Sequence, residues 1–437
     1  MSVLRYLPLL SLLLAPITRA ETSHDMPHAA HAAGALEALS PQVSLTLDGG
    51  YFHDNQSGAG SELIEEAAGI LHGEHFDRHE HGAENGFNLG EVELALTATV
   101  DPWFDGRFAA TFSSGADTEI EEAWLQTRML PAGLAIRAGR FLSRIGYQNS
   151  LHPHERDFAD QNLAYASLLG EHGLNDTGIQ LTWQAPVPFW LLFGAESLQG
   201  DDQPRFGTLI EPVDADAVVV SGANLPDHRG GPRLTTLFAK LGPDPMANHS
   251  VQFGFSWAQA RQFQQVIDED ATLPDDQLAL NGQQQLLGVD MAYAFNAYDE
   301  EGAGDVKLIA EYLRLKKDMT VTGADAGVVL VAGDKVQGRQ DGYTLQATFG
   351  VAPRWQVGAR YDVSGVTNML LEAGAAVHFR DSSRVTLMLA FRPSEQSRLR
   401  LQVSDAALHD ESGVRTHLQQ VMLTATVVMG AHNGHGH

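Results

Sequence analysis

The sequence predicts an all-β protein: a transmembrane antiparallel β-barrel of about 16 strands with short periplasmic turns and long extracellular loops. Three observations support this fold class. Apolar and polar residues alternate along many short segments, as in half-exposed strands. Short turns alternate with long polar loops between those segments. After residue 20, no apolar run reaches the roughly 18 residues that a membrane-spanning helix needs.

Residues 1–20 have the composition of a secretory signal peptide. Arg5 supplies the positive charge, residues 6–17 form an apolar core, and Thr18 and Ala20 place small residues at the predicted cleavage site. Residues 21–41 would then form a His-containing periplasmic tail. The chain contains no cysteine, which excludes a disulfide scaffold, thiol chemistry and a lipidated N-terminal Cys.

The barrel is predicted over residues 42–430, and the segment EVELALTATV shows its alternation. Val92 and Leu94 fall on one face, whereas Glu91 and Glu93 fall on the other. Strands are predicted to begin near residues 43, 86, 103, 118, 134, 176, 188, 232, 250, 285, 305, 341, 354, 383, 397 and 416. The long loops are predicted at residues 53–85, 142–175, 199–231, 261–284, 318–340 and 364–382.

A further strand-like segment at residues 370–379 would raise the strand count to 17. Single-chain bacterial barrels have even strand numbers, so we assign this segment to a structured loop. A soluble β-sandwich or solenoid would show the same alternation within any one segment. The number of consecutive hairpins, the unequal loop lengths and the export signal favour the barrel.

The loop at residues 142–175 and the strand before it are predicted to form a pore constriction. If the loop folds inward, its acidic groups oppose an arginine-bearing wall, and the resulting transverse field would orient charged solutes. The alternative is that these arginines contact lipid headgroups at the barrel rim. Arg137 and Arg140 differ in strand parity, so both face the lumen only if a bulge intervenes. The predicted constriction residues are Arg128, Arg137, Arg140, Arg144, Glu155, Asp157 and Asp160, with His152, His154 and His172 in the same loop.

The same alternation predicts a lumen of mixed charge. Its acidic residues would be Asp48, Glu91, Glu93, Asp105, Glu122, Asp290 and Asp362. Its basic residues would be Arg107, Arg128, Arg354, Arg360, Arg384, Arg398 and Arg400. The net charge of −27 therefore comes mainly from the loops and argues against nucleic acid as a partner. Acidic loops would enrich cations at the pore mouth, or would serve only solubility.

Three groups of histidines are candidate metal ligands. Neutral imidazole binds zinc, copper or nickel, and His-rich tracts are typical of metal binding. The alternative is a solvated polar loop with two polar tails. We expect no required cofactor; exchangeable zinc is the candidate metal. The candidates are His24, His28 and His31 in the N-terminal tail, His72, His75, His79 and His81 in the first long loop, and His432, His435 and His437 in the His-rich C-terminal tail at residues 431–437.

Residues 138–184 read AGRFLSRIGYQNSLHPHERDFADQNLAYASLLGEHGLNDTGIQLTWQ. This run resembles the phosphate-selective porin (O/P-like) superfamily. The C-terminal segments RPSEQSRLRLQ and MGAHNGHGH are similar to a His-rich branch whose members are often named zinc-regulated outer-membrane receptors. The resemblance implies a barrel of about 16 strands, a homotrimer and a loop folded into the pore. Because this chain is strongly acidic, phosphate selectivity is not carried over.

The sequence thus predicts an exported protein of the bacterial outer membrane, inserted by the barrel-assembly machinery and surrounded by outer-membrane lipids. We expect passive uptake of small hydrophilic solutes, with divalent metal, zinc first, favoured by the histidines. Two alternatives remain: a metal-binding surface protein with the barrel as its anchor, and a general or anion-preferring porin with incidental histidines. No GxSxG, P-loop or dinucleotide fingerprint occurs, so we expect no enzyme.

Overall fold

The computed structural model describes residues 41–57, 60, 63–64, 85–112, 118–200, 205–209, 225–243, 246–268, 277–297, 301–325, 328–372, 374–410 and 412–430. The predicted signal peptide, the C-terminal tail and nearly all of the N-terminal tail therefore lie outside the described residues. Within those residues, no helix is long and apolar enough to cross a membrane.

The described residues form one antiparallel sheet that closes on itself, because the first strand pairs with the last. Closure pairs the backbone groups that an open sheet edge would leave bare in lipid. The strands are β1 (Gln42–Asp54), β2 (Gly86–Thr99), β3 (Phe104–Phe112), β4 (Glu119–Thr127), β5 (Leu134–Leu142), β6 (Asn175–Gln184), β7 (Trp190–Leu198), β8 (Leu234–Gly242), β9 (His249–Asp268), β10 (Gln277–Phe295), β11 (Val306–Ala324), β12 (Lys335–Ala352), β13 (Trp355–Ser364), β14 (Met369–Glu372), β15 (Ala375–His378), β16 (Ser382–Ser394), β17 (Ser397–His409) and β18 (Arg415–Gly430).

The wall has 16 strands among the described residues, as the sequence predicts. The two remaining strands, β14 and β15, pair with each other as a short hairpin, while β13 pairs directly with β16. The segment at residues 370–379 therefore belongs to a structured loop, as predicted, and not to the wall.

Short connections gather at one end of the barrel, which we call the turn end. They span residues 100–103, 128–133, 185–189, 243–248, 296–305, 353–354 and 395–396. The opposite end, the loop end, carries the longer connections at residues 55–85, 143–174, 199–233 and 365–381. In outer-membrane barrels the short turns face the periplasm.

The predictions of two loops are wrong over most of their length. The segments predicted as loops at 261–284 and 318–340 are largely strand, since β9 to β12 are 18 to 20 residues long. Bulges in the β9–β10 and β10–β11 pairs interrupt the alternation that sequence analysis relies on. Buried contacts in the same extensions, among them Phe263, Leu280 and Met319, hold them together.

The outer face of the wall is apolar, as contact with lipid requires. Leu387 and Leu399, on adjacent strands, are exposed to 53% and 45%. Aromatic pairs mark both ends of this band, as in the aromatic girdles of outer-membrane barrels. Trp183–Phe193 and Trp355–Phe391 lie at the turn end, and Tyr51–Phe87 and Tyr343–Tyr361 lie at the loop end.

Candidate functional site

The connection between β5 and β6, residues 143–174, folds into the lumen; we call it the inward segment. It reaches strands far from its own in the sheet order. Tyr165 Oη donates to Glu311 Oε1 of β11 at 3.0 Å, and the Ser364 hydroxyl of β13 lies 3.0 Å from that of Ser167. The Ala159 backbone N–H donates to Gln402 of β17 at 3.0 Å. The segment therefore crosses the barrel interior, as the family resemblance implies.

Local hydrogen bonds fix the shape of the inward segment. The Asn149 side chain joins its two ends, since Nδ2 donates to the carbonyls of Ser143 and Leu174 at 2.8 and 2.9 Å. Its one α-helix, α1 (Leu163–Leu168), begins where the Asn162 side chain accepts from the Tyr165 backbone N–H at 3.0 Å. One side chain thus ties the two ends of the segment together, and a second one caps its helix.

Apolar packing then ties the inward segment to the opposite wall. Ile145, Leu168 and Leu174 share a buried cluster with Leu286 of β10 and Leu313 of β11. Full burial of such side chains contributes roughly 1.5–3 kcal/mol each. The inward segment is therefore a packed part of the barrel.

One side of the inward segment carries acidic groups that meet an arginine-bearing wall. Asp160 accepts from Arg360 at 2.9 Å and pairs with Arg384 at 2.7 Å. Asp362 on β13 lies 2.9 Å from Arg360 and 3.1 Å from Arg384. We call these four residues the arginine cluster. Burial alone would raise the pKa of Asp160, but the guanidinium groups of Arg360 and Arg384 lower it to about 2.

Three further basic groups hold the same side of the inward segment. Lys307 pairs with Asp157 at 2.9 Å. Arg398 donates to the carbonyl of His154 at 2.5 Å, and Arg400 donates to that of Arg156 at 3.1 Å. Both the side chains and the backbone of the segment are therefore bound to this wall.

The other side of the inward segment carries His152, which meets a wall of glutamates on β2 and β4. Its Nδ1 lies 3.1 Å from Glu93 Oε2 and 3.0 Å from Glu121 Oε2. Its Nε2 lies 3.0 Å from Glu122 Oε2. We call these four residues the glutamate–histidine cluster; each is at least 94% buried, with exposed fractions of 4% to 6%.

A β-bulge explains why two consecutive glutamates both reach the lumen. Ala109 pairs with Glu122 and Ala110 pairs with Ile120, so Glu121 is the extra residue on β4. A regular strand would point Glu121 towards lipid, because successive side chains face opposite sides. The bulge therefore adds one carboxylate to the cluster.

Glu122 is held by neighbours of its own. Arg107 Nε donates to Glu122 Oε2 in a short ion pair, and Trp124 Nε1 donates to Glu122 Oε1 at 2.9 Å. Burial opposes charge on the imidazole, but hydrogen bonds to Glu121, Glu122 and Glu93 raise the pKa of His152 well above its usual value. The ring of His152 therefore bridges the three carboxylates, with Arg107 as a second partner of Glu122.

A second set of ligand-type side chains adjoins this cluster. Glu91, Glu121 and His172 offer ligand atoms within 4.8 Å of one another, and so do Glu93, Glu121 and His152. Glu121 belongs to both sets. His154 Nδ1 lies 3.6 Å from Glu93, and burial lowers the pKa of His154. Within the described residues these two sets have the donor chemistry of a metal site.

A cavity of about 770 Å³ lies between the inward segment and the turn end of the barrel. Its lining includes His152 and His154 as well as eight basic and six acidic residues. The basic residues are Arg107, Arg137, Arg144, Lys240, Lys307, Arg354, Arg392 and Arg398. The acidic residues are Glu122, Glu155, Asp157, Glu301, Asp305 and Glu395.

The structure distributes the seven predicted constriction residues over three environments. Arg137, Arg144, Glu155 and Asp157 line the cavity, and Arg137 stacks on Trp124 at 4.0 Å. Arg128 pairs with Asp105 at 3.4 Å, and Arg140 pairs with Glu119 at 3.3 Å. Asp160 lies in the arginine cluster. The arginines that bind Asp160 therefore come from β13 and β16, and not from the strand before the loop as the sequence suggests.

The structure does not bear on the other predicted metal ligands. His24, His28, His31, His72, His75, His79, His81, His432, His435 and His437 all lie outside the described residues. Sequence analysis places Glu93 and Glu122 correctly in the lumen but misses Glu121 and the metal-ligand potential of His152. A bulge interrupts the alternation at one point only, and in a strand of nine residues too few positions remain to show the change of phase, so Glu121 is missed.

Comparison with known proteins finds a relative whose sequence identity exceeds 30%. This chain is 33% identical over 405 residues to an uncharacterised protein of Aquifex aeolicus (strain VF5), covering 91% of this chain and 80% of that protein. No family model matches the chain.

Two solved structures share the fold at low sequence identity. A loop L8 deletion mutant of OmpT, an outer-membrane protein of Vibrio cholerae, has a TM-score of 0.50 at 10% identity, over 90% of this chain and 100% of that one. The outer-membrane channel DcaP of Acinetobacter baumannii has a TM-score of 0.50 at 12% identity, over 90% and 97%. With the closed apolar-faced sheet, this likeness places the chain among β-barrels of the bacterial outer membrane.

Proposed function

We propose that this chain, which belongs to the same family as the uncharacterised Aquifex aeolicus protein, forms a channel for passive passage of small hydrophilic solutes across the outer membrane. The carrying observation is the cavity of about 770 Å³, lined by charged side chains and narrowed by the inward segment. A barrel that served only as a membrane anchor would not need a large cavity lined by charged side chains in its lumen.

The finer part of the proposal concerns the solute. Divalent metal, zinc first, is favoured by the ten histidines of the first long loop and the two tails and by a net charge of −27, which attracts cations. The loop would capture ions outside the cell, and the tails would meet them in the periplasm. This preference depends on residues outside the described part of the chain.

A second candidate, an anion-preferring channel, is favoured by the cavity itself. Its lining holds eight basic and six acidic side chains, so the cavity has a net positive formal charge while the chain as a whole is acidic. Charged rings of this kind set ion preference in pores. The two candidates therefore place selectivity in different regions: the outer loops or the cavity.

Single-channel recording in planar bilayers tests the proposal. We expect discrete conductance steps from the purified barrel, and a reversal potential in a salt gradient that gives the sign of the preferred ion. An unmeasurable conductance contradicts the channel and favours a metal-binding surface protein with the barrel as anchor. A preference for anions contradicts only the proposal that divalent metal is the solute.

Uptake of radioactive zinc by cells separates the remaining possibilities. We compare cells without the protein, cells with it, and cells whose protein has His72, His75, His79 and His81 changed to Ala. Higher uptake that depends on these histidines supports the loop as the capture site. Equal uptake in all three strains contradicts zinc as the solute.

A homotrimer, which the family resemblance implies, is tested by the mass of the protein in detergent.

A further inference from the structure

We propose that a divalent transition-metal ion, zinc first, binds inside the lumen between His152 on the inward segment and the wall residues Glu93 and Glu121. This inference deepens the proposed channel function and rests on it for the route by which an ion arrives. The site is separate from the histidines of the first long loop and the tails.

The distances already approach those of a coordination sphere. His152 Nδ1 lies 3.1 Å from Glu93 Oε2 and 3.0 Å from Glu121 Oε2. Zinc bonds of about 2.0–2.1 Å to nitrogen and oxygen in tetrahedral geometry separate neighbouring ligand atoms by about 3.3 Å. Both nitrogen–oxygen distances are therefore within a few tenths of an ångström of those around a bound ion, which would replace the proton on Nδ1.

The charges of the cluster call for a further cation. Glu93, Glu121 and Glu122 are all buried, with exposed fractions of 4%, 6% and 6%. The ring of His152 contacts all three, and Arg107 contacts Glu122. A single Nδ1–H cannot donate fully to both Glu93 and Glu121, so one buried carboxylate keeps a poor partner. A divalent ion at this point compensates both carboxylates.

Glu122 has the place of an outer-sphere residue in a metal site. Histidines that bind metal through one ring nitrogen usually donate from the other to a carboxylate, which fixes the ring and its tautomer. His152 Nε2 lies 3.0 Å from Glu122 Oε2, and Glu122 is itself fixed by Arg107 and by Trp124 Nε1. The imidazole is therefore already oriented with Nδ1 towards Glu93 and Glu121.

Adjacent side chains provide further ligands and space. His154 Nδ1, 3.6 Å from Glu93, can supply a fourth donor. A void of about 10 Å³ is lined by Glu121, His152 and His172, and this is the size that one water-sized particle needs. Glu121 joins the cluster to the neighbouring set of Glu91 and His172, so a second ion position adjoins the first.

The donor set and its access indicate which ions fit. Imidazole combined with carboxylate suits zinc and similar transition metals, whereas calcium and magnesium prefer sites made only of oxygen. His152 and His154 both line the cavity at the turn end, so an ion in that cavity can reach the site. Glu93, Glu121 and His152 leave the fourth position to His154 or to a water, and exchange at that position allows passage.

The test uses the full chain in detergent with the other candidate ligands removed. In this background protein His24, His28, His31, His72, His75, His79, His81, His432, His435 and His437 are all Ala. We expect calorimetry to show a saturable zinc site, and Co²⁺ to give the visible absorption of a four-coordinate nitrogen–oxygen site. His152→Ala should remove both signals. Glu121→Gln should weaken zinc binding at least tenfold, and Glu122→Gln by about 10- to 100-fold.

Matched controls test whether the loss is local. Glu196→Gln changes another buried lumen glutamate, and His249→Ala changes a histidine of β9 that contacts Tyr293. Both should keep the zinc affinity of the background protein. Folding of every variant is checked by the mobility shift between heated and unheated samples in SDS gels.

The outcomes separate this inference from the channel proposal. Absence of a zinc site in the folded background protein overturns the inference, even where single variants fail to fold. Equal affinity in folded His152→Ala overturns it as well. A barrel that conducts ions without binding zinc contradicts only the lumen site. A barrel that binds zinc here and conducts nothing contradicts only the channel.

Discussion

The two sides of the inward segment meet opposite kinds of wall. In the arginine cluster, two guanidinium groups face two carboxylates, and the contacts between them run from 2.7 to 3.2 Å. In the glutamate–histidine cluster, three carboxylates face Arg107 and one imidazole. One side is balanced in charge and the other is short of a cation.

This difference assigns separate roles to the two sides. A buried ion-pair network with every partner in place holds the inward segment where it is. A buried group of carboxylates around one histidine has the chemistry of a site that exchanges its proton for a metal. The comparison predicts that changes on the two sides have different consequences.

The largest expected effect comes from breaking the balanced side. Arg384→Ala leaves Asp160 and Asp362 sharing one guanidinium in a buried setting, and removal of one partner of a buried pair costs about 3–5 kcal/mol. We expect the free energy of unfolding in urea to fall by that amount, with zinc binding of the folded fraction unchanged. A loss under 1 kcal/mol would contradict the role of the arginine cluster as the anchor.

The next largest change in stability is expected from the glutamate–histidine cluster, on the other side of the inward segment. Zinc at 100 times its dissociation constant should stabilise the barrel by about 2.7 kcal/mol, because it binds only the folded protein. The stabilisation should vanish in His152→Ala and persist in Asp160→Asn. Urea unfolding with and without zinc measures it. If Asp160→Asn lost the zinc effect and His152→Ala kept it, the assignment of the two sides would be reversed.

Acid should weaken the arginine cluster only at low pH. The pKa of Asp160 is lowered from 3.8 to about 2 in the folded protein, so its carboxylate stabilises the fold above about pH 4. That contribution, about 2 kcal/mol, is lost as the pH falls through about 2. The difference in unfolding free energy between wild type and Asp160→Asn should therefore shrink by about that amount between pH 5 and pH 1. A constant difference would contradict it.

The smallest effect is expected far from both sides. Lys316→Ala removes an ion pair with Asp318. This pair is partly exposed, since the side chain of Lys316 is exposed to 44% and that of Asp318 to 26%. Such pairs contribute about 0–1 kcal/mol. This variant is the matched control for Arg384→Ala, since both delete a cation from the barrel wall. A loss as large as that of Arg384→Ala would show that burial does not explain the difference.

The fold could be predicted from sequence because the two faces of the wall contact lipid and a polar lumen. Alternation placed Arg360, Arg384 and Asp362 in the lumen, where the structure has them buried. It failed at bulges, which turn Glu121 inward and interrupt the alternation in two strand segments that the sequence predicts as loops. Sequence analysis also could not predict which charged residues pair with each other. Asp160 and Arg360 are 200 residues apart, and only closure of the barrel brings them together.

The position of the inward segment is the premise of both proposals, and a disulfide tests it directly. The chain has no cysteine, and the hydroxyls of Ser167 on α1 and Ser364 on β13 lie 3.0 Å apart. In the double variant Ser167→Cys and Ser364→Cys we expect a disulfide to form during folding, so that maleimide, added after the folded protein is denatured, labels it only after reduction. Pairing Ser167→Cys with Ser394→Cys, at the turn end of β16, should leave both thiols free. Free thiols in the first variant, in folded protein, would show that residues 143–174 do not cross the lumen.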